Sequence, residues 1–150
     1  MIQRVQTLFL LQLIFLSVSL FFIPVQFIVT GNNHINIYFL PIGGMFHSTA
    51  GHIAAIAINS LAILIALVTI FLFKKRELQL KLCYALVLIY IVLIGMIAFC
   101  PFAEKQENIS QIKTNAFGYV ICSVCIISAY LAARFVKKDI ELLKSTDRIR

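Results

Sequence analysis

Residues 51–76 read GHIAAIAINSLAILIALVTIFLFKKR, an apolar run that ends abruptly at Lys74, Lys75 and Arg76. Before Lys74 the run contains no charged side chain. At a rise of about 1.5 Å per residue, a helix over residues 51–73 would cross a hydrocarbon core of about 30 Å. The stretch therefore predicts a membrane-spanning helix, and its basic end marks one side of the bilayer.

Three further apolar stretches predict spans over residues 7–29, 82–101 and 116–136. With 61% hydrophobic and 13% charged residues, the chain lies outside the usual balance of soluble domains. The segment 30–48 mixes turn-forming residues with apolar ones, which predicts a loop on the membrane surface. We expect a single all-α domain over residues 1–150, built as a polytopic membrane protein.

Basic residues divide unevenly between the two sides of these spans. Of the 13 Lys and Arg residues, all but Lys105 and Lys113 fall on one side. The positive-inside rule then places both termini in the cytoplasm. We predict an antiparallel four-transmembrane-helix bundle with residues 137–150 as a cytoplasmic helical extension. The same clustering beside apolar runs argues against a nucleic-acid partner and points to the lipid bilayer.

Three stretches on the predicted cytoplasmic side carry a family resemblance. They are MIQRVQT at 1–7, KRELQLKLC at 75–83, and ARFVKKD at 133–139 with the ending STDRIR at 145–150. Together with the hydropathy pattern, they resemble a bacterial family of small four-span membrane proteins, the domain of unknown function 4293. The resemblance covers essentially the whole chain. The resemblance implies a location in a bacterial inner membrane and the four-span fold of that family. It implies no catalytic residue.

Small side chains recur at helical spacing in the second and fourth predicted spans. The first stripe is Gly51, Ala55, Asn59, Ala62, Ala66 and Thr69, and the second is Gly118, Cys122, Cys125, Ala129 and Ala132. Such stripes let membrane helices approach closely, so these are candidate interhelical packing residues. Because an unpaired amide in hydrocarbon is costly, Asn59 should bond to another helix. Its candidate partners are Gln12, Ser17, Ser19, Ser123 and Ser128.

Two alternatives to a packing role remain open for these stripes. Cys122 and Cys125 form a C-x-x-C pair, the pattern that a membrane thiol or quinone oxidoreductase would use. Such enzymes need a shuttle pair in an outer loop, and the loop 30–48 contains no cysteine. Asn59 would line the path of a small-molecule carrier, but no span core carries a charge to couple ions.

No pattern indicates an enzyme or a cofactor. The sequence shows neither a nucleophile with its base nor a phosphate-binding glycine loop. The spacing of the three histidines matches no compact metal motif, so no metal is expected: these are His34, His47 and His52. The chain is therefore expected to be non-enzymatic.

The segment 137–150 carries charged residues together with apolar residues at helical spacing. The apolar residues are Val136, just before the segment, and Ile140 and Leu143 within it. An apolar edge on such a helix needs cover from the membrane surface or from a protein. We expect an accessory or scaffold subunit whose tail contacts a larger membrane complex or a cytoplasmic protein. The candidate docking residues are Ile140, Leu143, Asp147 and Arg148.

Overall fold

A computed structural model describes residues 2–30, 33–38, 50–72, 75–99 and 111–147. These residues form four helices: α1 (Ile2–Ser19), α2 (Ala50–Phe71), α3 (Arg76–Phe99) and α4 (Ala116–Asp147). Three of them, α2, α3 and α4, are long and apolar enough to cross a membrane, whereas the apolar part of α1, Val5–Ser19, is shorter. The prediction of a helical fold with membrane-span candidates is confirmed.

Three short strands accompany the helices, although the sequence predicts an all-α fold. They are β1 (Gln26–Thr30), β2 (Asn33–Ile37) and β3 (Gln111–Thr114), and they form an antiparallel sheet in the order β2-β1-β3. Gln26 of β1 stands opposite both Ile37 of β2 and Thr114 of β3. The start of the predicted surface loop 30–48 therefore contains paired strands, and residues 31–32 and 39–48 of that loop lie outside the described residues.

The first helix ends at Ser19, before the end of the apolar run that predicts a helix to Val29. A turn follows, in which the amides of Phe22 and Ile23 donate to the Ser19 carbonyl at 3.0 and 3.2 Å. Pro24 has no amide hydrogen to continue a helix, and the sequence FIVT at 27–30 consists of residue types that favour strands. The run is thus a helix followed by a strand. Hydrophobicity alone does not distinguish this arrangement from one continuous helix.

The four helices pack in the cyclic order α1, α2, α3, α4, so that α1 and α3 lie on one diagonal and α2 and α4 on the other. Large side chains on the first diagonal fill the core: Leu10 and Leu13 from α1, and Leu86, Tyr90, Leu93 and Ile97 from α3. Small side chains on the second diagonal complement them: Ala55, Ala62 and Ala66 from α2, and Ala129, Ala132 and Ala133 from α4. This complementarity packs the core densely.

The outer surface of the bundle is apolar as well. Large hydrophobic side chains are exposed on every helix, among them Leu8, Phe15, Ile53, Leu64, Leu88, Ile91, Val120 and Ile127. A helix in a water-soluble bundle would carry polar residues on that side. Helices that are apolar both inside and outside suggest a membrane protein.

The two ends of the bundle differ in chemistry. At one end, here called the sheet end, the Asn115 amide donates to the Val25 carbonyl at 2.8 Å and joins the start of α4 to the segment before β1. At the other end, the basic end, the Arg76 guanidinium pairs with the Asp139 carboxylate at 2.5 Å and joins the start of α3 to α4. These two contacts join α4 to neighbouring elements, one near each end of the bundle.

Candidate functional site

A polar cluster lies at the centre of the bundle, where each helix contributes one fully buried side chain: Ser17, Asn59, Tyr90 and Cys125. Ser17 Oγ donates to the Leu13 carbonyl at 2.8 Å, so the Tyr90 hydroxyl donates in turn to Ser17 Oγ. The Cys125 thiol interacts with both hydroxyls. Asn59 Nδ2 donates to the Ser17 carbonyl at 3.1 Å. The cluster therefore ties all four helices together.

Buried amides satisfy the ends of three helices. The pairs are Asn59 Nδ2 with the Ser17 carbonyl of α1 at 3.1 Å, Gln79 Nε2 with the Thr69 carbonyl of α2 at 3.2 Å, and Gln26 Nε2 with the Ile97 carbonyl of α3 at 3.1 Å. Each carbonyl belongs to the last turn of its helix, where no intrahelical donor is available. These carbonyls are buried away from water, so side chains from other elements supply the donors.

The sequence indicates that Asn59 needs a partner on another helix, and the structure places that partner at Ser17. The acceptor is the backbone carbonyl of Ser17, not its hydroxyl. Three other candidate serines bond to carbonyls of their own helices: Ser19 to Leu16, Ser123 to Tyr119 and Ser128 to Val124. The sequence does not predict the capping roles of Gln26 and Gln79, because an amide in or beside an apolar run does not identify the carbonyl that it meets.

Both small-residue stripes lie in the packed interior. On α2, Gly51 is half-buried, and the other members are buried: Ala55, Asn59, Ala62, Ala66 and Thr69. On α4 all members are buried: Gly118, Cys122, Cys125, Ala129 and Ala132. A Cβ atom at Gly118 would lie 3.1 Å from Val25 Cγ1, so α4 and the segment before β1 meet more closely there than most side chains allow.

Cys122 and Cys125 lie on the same buried face of α4, and both are free thiols with no exposed surface. A redox pair must be reached by another thiol or by a quinone, since exchange proceeds through direct attack on sulfur. Here α1 and α3 cover Cys125, through Ser17 and Tyr90. Access would require the helices to separate.

We expect the double variant Cys122→Ala, Cys125→Ala to fold and accumulate like the wild type, within about 1 kcal/mol, because alanine keeps the small surface. Cys122→Leu should destabilise the bundle by about 1 to 3 kcal/mol through overpacking. Thermal unfolding in detergent measures both effects. Loss of a cellular phenotype in the alanine variant at normal protein levels would favour thiol chemistry over packing.

Two of the three histidines, His34 and His52, lie in the described part of the chain. His52, in the first turn of α2, is buried, and its Nε2 lies 2.9 Å from the carbonyl oxygen of Tyr38. His34 lies in β2, and His47 lies outside the described residues. Within the described ranges no group of three His, Cys, Asp or Glu side chains has the arrangement to hold a metal ion.

The C-terminal segment continues α4 as a helix to Asp147. Along its apolar stripe, Val136 is fully buried, Ile140 is half-buried and Leu143 is 48% exposed. The acidic residue Asp139 pairs with Arg76 of α3, and its side chain is 14% exposed. Asp139 therefore anchors the extension to the bundle. Of the other candidate docking residues, Asp147 ends the helix and Arg148 lies outside the described residues.

Comparison with known proteins identifies a family without assigning an activity. A family model described as a domain of unknown function (DUF4293) matches residues 2–149, which include all four helices and the sheet. No curated protein and no solved structure matches the chain. The family resemblance of the sequence is confirmed, and the role has to be argued from the geometry.

Proposed function

This chain belongs to the DUF4293 family, a domain of unknown function, and we propose that it is a non-enzymatic accessory or scaffold protein of the bacterial inner membrane. The observation that carries the proposal is the length of α4. Its 32 residues extend over about 48 Å, against a hydrocarbon core of about 30 Å. About a third of the helix would project from the membrane, where a partner can bind it.

We place the first apolar segment across the membrane with the other three helices, although α1 itself is shorter. Three contacts support an antiparallel arrangement of this segment and α4: Phe9 with Phe135, Ser17 with Cys125, and Val25, after the end of α1, with Gly118. The chain from Phe9 to Val25 thus covers the same depth as α4 from Phe135 back to Gly118. Four antiparallel crossings account for this arrangement, with the last part of the first crossing made by the turn after Ser19.

We assign the basic end to the cytoplasm. Arg76, Lys81, Arg134 and Lys138 all belong to this end, and the positive-inside rule places such clusters on the cytoplasmic side. Both termini then lie in the cytoplasm, since α1 starts and α4 ends there. The sheet belongs to the outer aqueous side, because the open edges of β2 and β3 would leave backbone groups unsatisfied in hydrocarbon.

The central polar cluster supports a structural role over catalysis or transport. Ser17, Asn59, Tyr90 and Cys125 have no exposed surface, and their donor groups bond to one another or to helix carbonyls, while Asn59 Oδ1 has no partner. A carrier or oxidoreductase needs a path for its substrate to such groups. The proposal therefore includes no cofactor and no substrate.

The extension of α4 supports a docking role because an ion pair joins its start to α3 and exposed apolar side chains follow. The Arg76–Asp139 ion pair lies in its first turn. Leu142 and Leu143 are 47% and 48% exposed. An apolar pair on a projecting helix fits the hydrophobic groove of a partner, in a larger membrane complex or in a cytoplasmic protein.

Replacing both leucines, Leu142→Ser with Leu143→Ser, should weaken co-purification of a stoichiometric partner by about tenfold or more, since each buried leucine contributes about 1.5 to 3 kcal/mol. The matched control is Glu141→Ser in the same turn, which should retain the partner. Quantitative mass spectrometry of detergent-solubilised membranes measures both. A reporter fused after Arg150 should read as cytoplasmic in every variant.

Two results would contradict the proposal. If the leucine variant and the control co-purify with the same proteins in equal amounts, the extension is only a membrane-surface helix. If the reporter reads as periplasmic, the assignment of the basic end is wrong.

A further inference from the structure

A groove with a volume of about 680 Å³ lies at the basic end, on the outer surface of the bundle along α3 and α4. The residues that matter for its chemistry are Tyr84 of α3 and Tyr130, Arg134, Lys137, Lys138 and Glu141 of α4. All six side chains are exposed. Neither the packing of the core nor the proposed docking of Leu142 and Leu143 uses these six side chains.

The two helices change character at the level of this groove. Along the exposed side of α4, the order is Val120, Ile127, Tyr130, Arg134 and Lys138, and along α3 it is Ile91, Leu88, Tyr84 and Lys81. Each series passes from apolar residues through a tyrosine to basic residues. Tyrosine is enriched at the headgroup level of a bilayer, and basic residues follow on the cytoplasmic side. The groove therefore lies at the depth of the phospholipid headgroups.

We propose that this groove binds the headgroup of an anionic phospholipid, an inference that rests on the proposed membrane orientation and not on the docking role. Three cationic side chains, Arg134, Lys137 and Lys138, face a single carboxylate, Glu141. Guanidinium and ammonium groups form charge-assisted hydrogen bonds to phosphate oxygens, and the tyrosine hydroxyls add neutral donors.

Neighbouring residues complete the site for a lipid. Asp139 does not oppose an anion, because Arg76 neutralises its charge at 2.5 Å. Leu88 and Ile127 are 64% and 57% exposed on the hydrocarbon side of the two tyrosines, where acyl chains would lie. A soluble anion would use the basic groups but not this apolar surface. The combination fits an amphiphile that is already concentrated at the membrane surface.

Native mass spectrometry of the full-length protein in detergent tests the site directly. The probes are phosphatidylglycerol, phosphatidylcholine and inorganic phosphate, each added alone and in competition. The wild type should retain phosphatidylglycerol in preference to phosphatidylcholine. Arg134→Gln with Lys138→Gln should lower that retention by about tenfold, since each basic residue near the surface contributes to the attraction of anionic lipid.

The matched control is Lys75→Gln with Lys81→Gln. It removes the same charge from the same end of the bundle, but these lysines line a separate groove at the start of α3. This pair should keep at least half of the phosphatidylglycerol retention. As a second test variant, the single charge reversal Lys138→Glu at an exposed position should also lower retention, with unchanged thermal stability in lipid-free detergent.

Three results would overturn the inference. They are equal loss of retention in the two double variants, no preference over phosphatidylcholine in the wild type, and displacement of the lipid by inorganic phosphate alone, which would indicate a free anion. None of these results changes partner retention by Leu142 and Leu143, so a failure here is distinguishable from a failure of the docking proposal. A wrong membrane orientation would appear separately in the reporter fusion.

Discussion

Replacing Gly118 with valine is expected to destabilise the bundle by about 1 to 3 kcal/mol, the usual cost of overpacking a well-packed site. A Cβ atom there would lie 3.1 Å from Val25 Cγ1 and 3.9 Å from Ile97 Cδ1, before the two further methyl groups of valine are added. Val25 is fully buried, and its carbonyl accepts the Asn115 amide at 2.8 Å. The segment therefore cannot move away from α4 without losing that bond.

Gly95 provides the matched control, because a Cβ atom added there would meet no atom of a neighbouring element within 4 Å. Gly95→Val should be neutral or slightly stabilising, since glycine is the poorer helix former of the two. Equilibrium unfolding in detergent and the amount of protein in membranes measure both variants. Equal destabilisation at the two positions would show that the cost comes from valine in a membrane helix and not from the contact with Val25.

Replacing Asn59 with leucine is expected to cost about 1 to 2 kcal/mol, because the Ser17 carbonyl would lose its donor in the bundle core. Leucine has a similar size and is compatible with hydrocarbon, so the loss reports the hydrogen bond. Asn59→Asp should be worse, since it brings a carboxyl group to a fully buried position. Thermal unfolding in detergent ranks the three proteins.

Gln12→Leu is the control for the removal of an amide from an apolar helix. Gln12 is exposed on α1, so its replacement should be neutral or stabilising. If Asn59→Leu is as stable as the wild type, the amide is dispensable for packing. A ligand-binding role for its unpartnered Oδ1 atom would then gain support.

Hydrophobicity and spacing were sufficient to predict several features of this protein. The apolar run before Lys74 predicts α2, and the apolar stretch 82–101 predicts α3, although that helix begins earlier than predicted, at Arg76. The spacing of Gly118, Cys122 and Cys125 predicts a buried face of α4, because small residues at intervals of three and four share one side of a helix. These are local properties, and they do not depend on the position of the other helices.

Pairing across the chain was not predictable in the same way. Residues 20–30 are apolar enough to continue a helix, but Gln26–Thr30 pairs as a strand with both β2 and β3, and β3 lies far along the chain. Similarly, nothing next to Gln26 or Gln79 in the sequence identifies the carbonyls of Ile97 and Thr69 as their acceptors. These bonds exist because the last turn of each helix needs a donor where no water is available.

The sequence by itself thus determined the helical, membrane-compatible character, the packed faces and the helical C-terminal extension. The tertiary structure alone decided which strands pair after the first helix, which amide caps which helix, and that Asp139 pairs with Arg76. The physical reason is the range of the interactions. Burial and helix periodicity act between residues three or four positions apart, whereas hydrogen-bond and ion-pair partners are selected by the packing of distant segments.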